Sequence, residues 1–328
     1  MTRYAQHMPG LRMLRTYRRS WLRNDLLAGA TVFAVLVPSA LAYGGLAGLA
    51  PVAGLYAALA AMAAYALFGS SRHLIIGPDA ALPLILAATI GPLAGGSVER
   101  YALLTAGLSM LVGAILIAAR VFRVGFLVNF LAQPILTGYL AGVALTVIAS
   151  QLGRLLGMRL ASDTFAGQLW EVARRAGETH LLTFLIGSGS LLTLFAMPRV
   201  APQVPAPLLV MLAATGATAV FDWETRGLAV IGRIPAGLPT LVLPRLSWAD
   251  WQALLMPSLT IALLSFADAI ITARSFAAKY HYEIDANQEL VALGAADIAA
   301  GLAGGFPISS SSARTAVVTV MGGRTQVA

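Results

Sequence analysis

Hydrophobic residues run along this chain in long blocks separated by short polar stretches, not in the alternation of a half-buried sheet. A helix needs about 20 apolar residues to cross about 30 Å of hydrocarbon, and several blocks approach or reach that length. Leu26–Leu49 is the first, and Pro38 with the Gly44-Gly45 pair predicts a kinked or broken helix. Val52–Phe68 is the second, Tyr101–Ala119 the fourth and Ile135–Leu152 the fifth. Leu181–Met197 and Pro207–Phe221 follow, separated by PRVAPQVPAP. Asp222–Asp250 is polar and loop-like, with amphipathic pieces. Met256–Phe276 and the shorter Leu290–Leu302 then resume the membrane pattern.

Two blocks depart from it. HLIIGPDAALPLILAATI, His73–Ile90, places Gly77-Pro78 and Pro83 in a short apolar stretch. It predicts an extended piece, His73–Ile76, then a half-length helix starting near Pro78, since proline suits a helix's first turn. GGFPISSSSARTAVVTVMGG predicts a second extended piece, Gly305–Ser309, and a half-helix from about Ser310. The two interruptions stand third in their series, after spans one and two and after spans eight and nine. Paired Gly/Pro-broken spans point to a transporter site built from inverted repeats. The third span would enter from the cytoplasm and the tenth from outside, so their helix N-termini would face each other near the midplane. Free N–H groups and positive dipole ends there favour an anion.

Composition agrees with a membrane protein. Of 328 residues, 58% are hydrophobic and 11% charged, with mean hydropathy +0.79; a soluble domain carries roughly a quarter charged residues. Soluble enzyme, nucleic-acid binder and disordered scaffold are excluded, and a polytopic protein in the lipid bilayer is expected. The net charge of +8 does not imply nucleic acid. Much of the excess, Arg3, Arg12, Arg15, Arg18, Arg19 and Arg23, precedes the first span, where it holds the N-terminus in the cytoplasm and meets anionic headgroups. Arg72, Arg120, Arg123, Arg199, Arg274 and Lys279 fall on the same side. Arg154, Arg159, Arg174 and Arg175 fall outside, in a longer loop with Asp163, Glu171 and Glu178. No cleavage site ends a short apolar core, so a signal peptide is not expected. The single lysine and the Ala-rich spans suggest a bacterial chain and its inner, cell membrane.

The chain has no cysteine, which removes disulfides, thiolate catalysis and thiolate-bound metals. His7, His73, His180 and His281 show no metal-ligand spacing, and no HExxH, GxSxG or P-loop is present. Neither an enzyme nor a cofactor is expected. Ser309, Ser310, Ser311 and Ser312 with Arg314 are the strongest binding candidates. Hydroxyls and N–H groups at a helix start replace an anion's hydration, and Arg adds a fixed charge. The alternative is that the serines cap the half-helix while Arg314 snorkels or pairs with a carboxylate. Gly77, Pro78, Asp79, Ala80 and Ala81 form the facing half-helix, where glycine and proline permit close backbone approach. Asp79 either satisfies first-turn N–H groups or occupies the anion's place and takes a proton before substrate binds. Asp268 lies deep in the eighth span, where a charged carboxylate is costly. It is the candidate for proton or cation coupling, with a structural ion pair to Arg314 or Arg274 as the alternative.

These segments resemble the sulfate-permease (SulP) anion transporters, solute carrier family 26, along nearly the whole chain. NDLLAGATVFAVLVPSALAYGGLAGLAPVAGLYAAL resembles the family's first-span signature, and FLVNFLAQPILTGYLAGVALTVIASQLGRLLG is similar to its fifth-span pattern. YEIDANQELVALGAADIAAGLAGGFPISSSSARTA, residues 282–316, is the most specific piece. The resemblance implies an all-α, seven-plus-seven inverted-repeat fold. Core spans one to four and eight to eleven would move, elevator-like, against gate spans five to seven and twelve to fourteen. It divides this chain into a basic N-terminus (1–24), core (25–119), gate (126–221), connecting loop (222–250) and incomplete second core repeat (251–328). The chain stops at Ala328, inside or just after the tenth span, and is read as a truncated piece.

In the family, Ser39 and Tyr43 match pocket-lining positions where Gln and an aromatic are common, and Asp268 matches an acidic position. Ala313 stands where Ser is frequent. Tyr43 as ordinary core packing is the alternative. Asp285, Asn287, Gln288 and Glu289 read as a helix start with capping and interface roles. The expectation is a secondary transporter of a small anion (sulfate or dicarboxylate, with bicarbonate included), coupled to protons, or to sodium in their place. Exchange or conduction without coupling, and a non-transporting scaffold, are the rivals. The resemblance also implies a homodimer, commonly helped by the family's cytoplasmic STAS domain.

Overall fold

A computed structural model describes residues 8–122, 125, 133–158, 160, 162, 164–201, 206–230 and 234–328. Arg3, His7, Arg123, Arg159, Asp163 and residues 126–132 lie outside the described residues. The described residues are mostly helical, with two short strands, and the chain divides into two compact units, residues 1–131 with 234–328, and residues 132–233.

The first unit begins with α1 (Pro9–Arg15) and α2 (Leu22–Leu46), followed by α3 (Pro51–Phe68), with Pro51 at its first turn. The short strand β1 (Ile76–Gly77) leads to α4 (Ala81–Ala94), and α5 (Val98–Val121) follows. After the second unit come α10 (Trp248–Tyr280), α11 (Ala286–Leu302), β2 (Ser309–Ser310) and α12 (Ser312–Val320). The second unit holds α6 (Gln133–Leu156), α7 (Phe165–Arg174), α8 (Leu181–Val200) and α9 (Ala206–Phe221). Arg19–Leu46, α3, α5, α8 and α10 are long and apolar enough to cross a membrane. None of the side chains of α8 is buried, which suits an element solvated by lipid.

Several element boundaries differ from those read in the sequence. Of the kinked or broken helix expected at Pro38 and Gly44-Gly45, the break does not occur: α2 continues through both. Ser39 Oγ donates to the carbonyls of Val35 at 2.9 Å and Leu36 at 3.0 Å, the turn beside Pro38. The first extended piece is Ile76–Gly77 rather than His73–Ile76, and its helix starts at Ala81 rather than near Pro78. Gly77, the last residue of β1, has φ +151°, a conformation costly for residues with a Cβ. The second strand is Ser309–Ser310, and its helix starts at Ser312 because Ser311 is extended and caps it. The capping box of Ser247 and Asp250 starts α10 inside the stretch expected to be loop. Amphipathic α7 lies in the loop after the fifth span, where the sequence reading placed no helix.

The core of the first unit combines small residues at a close helix crossing with large aliphatic side chains around it. In it, α11 packs on α5 and α3, α10 on α5, and α2 on α3. Gly113 and Gly294 set the α5–α11 distance: a Cβ on Gly294 would stand 2.6 Å from Gly113 O, and one on Gly113 would strike Gly294 O. Without a hydrophobic drive between helices in lipid, such backbone approach supplies the packing. Around it Leu86, Leu104, Leu108, Ile261, Ile270, Leu293 and Phe306 are buried.

Candidate functional site

The two interrupted segments meet. β1 and β2 pair antiparallel, Ile76 opposite Ser310 and Gly77 opposite Ser309. Ser311 N donates to Ile75 O at 2.9 Å, and Ile75 N donates to Thr315 Oγ1 at 3.0 Å. Two residues per strand are too few to hold alone, so the side chains of α10 and α11 clamp β2 from both sides. Ser265 Oγ donates to Ile308 O at 2.8 Å, and Ile308 N donates to Asp297 Oδ1 at 2.8 Å.

The candidate site forms where the half-helices leave this small sheet. Arg314 in the first turn of α12 is 4% exposed. Its Nη2 donates to Pro78 O at 2.9 Å, across to the segment that precedes α4. Its Nε has no hydrogen-bond partner among the described residues, and no described carboxylate forms an ion pair with it. Asp79 and Tyr43 lie within electrostatic reach of the guanidinium. Asp79 lies two residues before α4, outside its first turn, and its Oδ2 accepts from Ala81 N at 3.4 Å. Ala80 is the residue before the helix.

Asp268 of α10 belongs to the same cluster. Ser309 Oγ and Ser310 Oγ donate to its Oδ2 at 3.0 and 2.6 Å, and Asp79 lies within electrostatic reach. Its partners are serine hydroxyls, and no ion pair joins it to Arg314. Ser312 Oγ lies 2.8 Å from Thr272 Oγ1, and Ser311 Oγ accepts from Arg314 N at 3.4 Å. The serines therefore divide: Ser311 caps, Ser309 and Ser310 hold Asp268, and Ser312 faces Thr272. Ala313 is exposed. Tyr43 is half-buried against the core, and the Ser39 hydroxyl is turned onto its own helix backbone.

Asp297, Ser265, Thr272 and Thr315 support the site and were not singled out in the sequence. Asp297 offered a signal, a lone acid in the apolar run AADIAAG, and it is fully buried. The reading of residues 285–289 matches their positions. Asp285 caps α11 through Asn287 N and Gln288 N. Glu289, fully buried, accepts from Tyr65 OH, Ser70 N, Ser70 Oγ and Ser71 N. That lone carboxylate ties α11 to the end of α3. No group of His, Asp and Glu that could hold a metal occurs among the described residues.

The sequence pattern of the sulfate permease family matches residues 22–328. A Mycobacterium tuberculosis H37Rv protein named a probable sulfate transporter is 47% identical over 319 residues, 97% of this chain and 57% of its own. Human solute carrier family 26 member 6 is 32% identical over 348 residues, 98% of this chain and 46% of its own. The chain spans about half the length of these relatives. In fold it is similar to the transmembrane domain of the cyanobacterial bicarbonate transporter BicA (TM-score 0.81, 24% identity, 95% of this chain and 80% of that one). It is also similar to the murine anion transporter Slc26a9 in its inward-facing state (TM-score 0.87, 20% identity, 98% of this chain and 57% of that one). Family pattern and relatives agree over nearly the whole length, and the chain belongs to the sulfate permease family.

Proposed function

We propose that the protein is a secondary active transporter that carries a small anion, sulfate or a dicarboxylate, through the inner membrane of a bacterium with its N-terminus in the cytoplasm. Bicarbonate is the third candidate. The observation that carries this reading is Arg314, a buried guanidinium that spends one N–H on Pro78 O and leaves Nε without a partner. An unpaired cation so deeply buried is expensive, and an anion seated against it would recover hydrogen bonds and charge balance together. The paired strands bring two helix starts to the same place, where free N–H groups add donors. Relatives named sulfate transporters support sulfate, and the bicarbonate transporter similar in fold keeps bicarbonate in view.

In this reading residues 25–119 and 251–328 belong to a core domain that carries the site, residues 126–221 belong to a gate, and residues 222–250 connect them. The core moves against the gate, elevator-like, in a seven-plus-seven inverted repeat. Asp268 takes the coupling proton, its hydroxyl partners Ser309 and Ser310 linking its protonation to the strand that borders the anion. The same two contacts favour a second reading, in which Asp268 only holds β2 and the anion is exchanged without coupling.

Uptake of radiolabelled sulfate, fumarate and bicarbonate into proteoliposomes separates the two readings, using the full-length protein with and without an inward proton gradient. Accumulation that needs the gradient and is lost in Asp268→Asn supports symport. Gradient-independent equilibration, unchanged in the variant, rejects coupling and leaves exchange.

A further inference from the structure

A second basic site lies apart from Arg314. A cavity of about 850 Å³ opens where α1, the segment after α3, the α10–α11 connection and the stretch after α12 come together. Arg12, Arg72 and Arg324 line it, contributed by three different parts of the chain. All three are exposed, and none is in an ion pair among the described residues. Glu283 is the single carboxylate among the described lining residues. Three like charges lining one hollow repel one another, so bringing them together there carries an electrostatic cost.

Two of the three are held in place. Arg324 N donates to Asp25 Oδ1 at 2.7 Å, and Thr325 and Tyr17 hydroxyls take Oδ2, so the buried Asp25 fixes the backbone under Arg324. The Arg72 guanidinium lies over the Tyr282 ring, 5.7 Å from its centre. Trp21, also in the lining, directly precedes α2, so the cavity sits where a span enters the interfacial layer, the usual level of Trp.

We propose that this cavity binds a phosphate-bearing anion. Guanidinium groups from separate elements match the several oxygens of a phosphate, each offering a planar fork to a different edge. A chloride or a single carboxylate would engage one of them and leave the others repelling. The phosphate can be the headgroup of an anionic lipid, given the position beside the first span, or free phosphate from solution. An occupant would join α1 to the chain just beyond α12, whose first turn carries Arg314, and so would brace the far end of the half-helix that carries the proposed transport site.

The test uses the full-length protein, Arg12→Gln/Arg72→Gln/Arg324→Gln, and Arg314→Gln to remove the transport site. Native mass spectrometry would count adducts from detergent micelles doped with phosphatidylglycerol, cardiolipin or phosphatidylcholine. Melting would be followed with and without inorganic phosphate. Retention of the anionic lipids over phosphatidylcholine, weakened roughly tenfold per guanidinium removed and kept in Arg314→Gln, identifies a lipid headgroup. A melting shift with phosphate that survives Arg314→Gln and is lost in the triple variant, without lipid preference, identifies free phosphate. Equal responses of wild type and triple variant to both probes overturn the proposal. The single variants Arg12→Gln and Arg72→Gln, on exposed side chains, carry the same comparison if the triple variant does not fold.

Discussion

Ser310 of β2 donates its hydroxyl to Asp268 Oδ2 of α10 at 2.6 Å. The side chain proposed to take the proton and the strand proposed to border the anion are therefore joined by one short contact. Ser310→Ala is expected to reduce gradient-driven uptake by about tenfold, the usual worth of a hydrogen bond to a charged group. Ser310→Thr keeps the hydroxyl and should retain most of the uptake. Equal activity of the alanine variant and wild type would detach Asp268 from the strand.

Gly77 carries a different constraint. Its φ of +151° penalises any Cβ, and a Cβ there would stand 3.5 Å from Arg314 Nη2 and 3.6 Å from Leu36 Cδ1. The strain of such a conformation costs about 1–3 kcal/mol. Gly77→Ala should lower the melting temperature and disturb the Arg314–Pro78 contact, with anion affinity falling along with stability. A variant that melts like wild type would contradict the backbone geometry of β1.

At the α5–α11 crossing, Gly294→Ala places a methyl group 2.6 Å from Gly113 O. Overpacking of this kind costs about 1–3 kcal/mol. Gly189→Ala in α8, where a Cβ meets nothing within 4 Å, is the matched control. Alanine there should be neutral or stabilising, since it is the better helix former. Thermal melts in one detergent decide the comparison, and equal shifts would contradict the close packing.

Glu289 accepts four hydrogen bonds in a fully buried position. Glu289→Ala strips Tyr65, Ser70 and Ser71 of their acceptor and should cost about 3 kcal/mol or more, as several buried donors lose their partner at once. Glu289→Gln retains one acceptor oxygen and should lose less. Melting temperatures ranked wild type, glutamine, alanine are expected; indistinguishable values would show that the carboxylate holds nothing.

The spans and the paired interruptions were legible because lipid forces long apolar blocks and because glycine and proline mark where helices stop. Pro78, Asp79, Ser309 to Ser312 and Arg314 were visible for the same reason: each is unusual in hydrocarbon. The contacts among them were not. Whether Arg314 would meet Asp79, Asp268 or a carbonyl depends on how residues 236 positions apart approach, as Arg314 and Pro78 do, and spacing does not carry that. Pro38 and the glycine pair left a kinked and a broken first helix equally open, and only the structure shows that α2 runs on through them. Asp297 was overlooked because a single acid in a helix does not reveal that it will grip Ile308 N. Amphipathic α7 was hidden by its length of 10 residues, too short to stand out between spans.

Anion affinity at Arg314 is the most direct test of the account. Equilibrium binding of radiolabelled sulfate and fumarate to the purified full-length protein would be measured for wild type, Arg314→Gln and Arg314→Lys, with the anion-free melting temperature as the check on folding. Arg314→Gln is expected to weaken binding of the transported anion by roughly ten- to a hundredfold, the loss of about 1.5–3 kcal/mol from one charge-assisted contact. Arg314→Lys should restore little, because a point charge does not reproduce the fork that reaches Pro78 O and leaves Nε free. Binding unchanged in a folded Arg314→Gln variant would contradict the account and place the anion elsewhere.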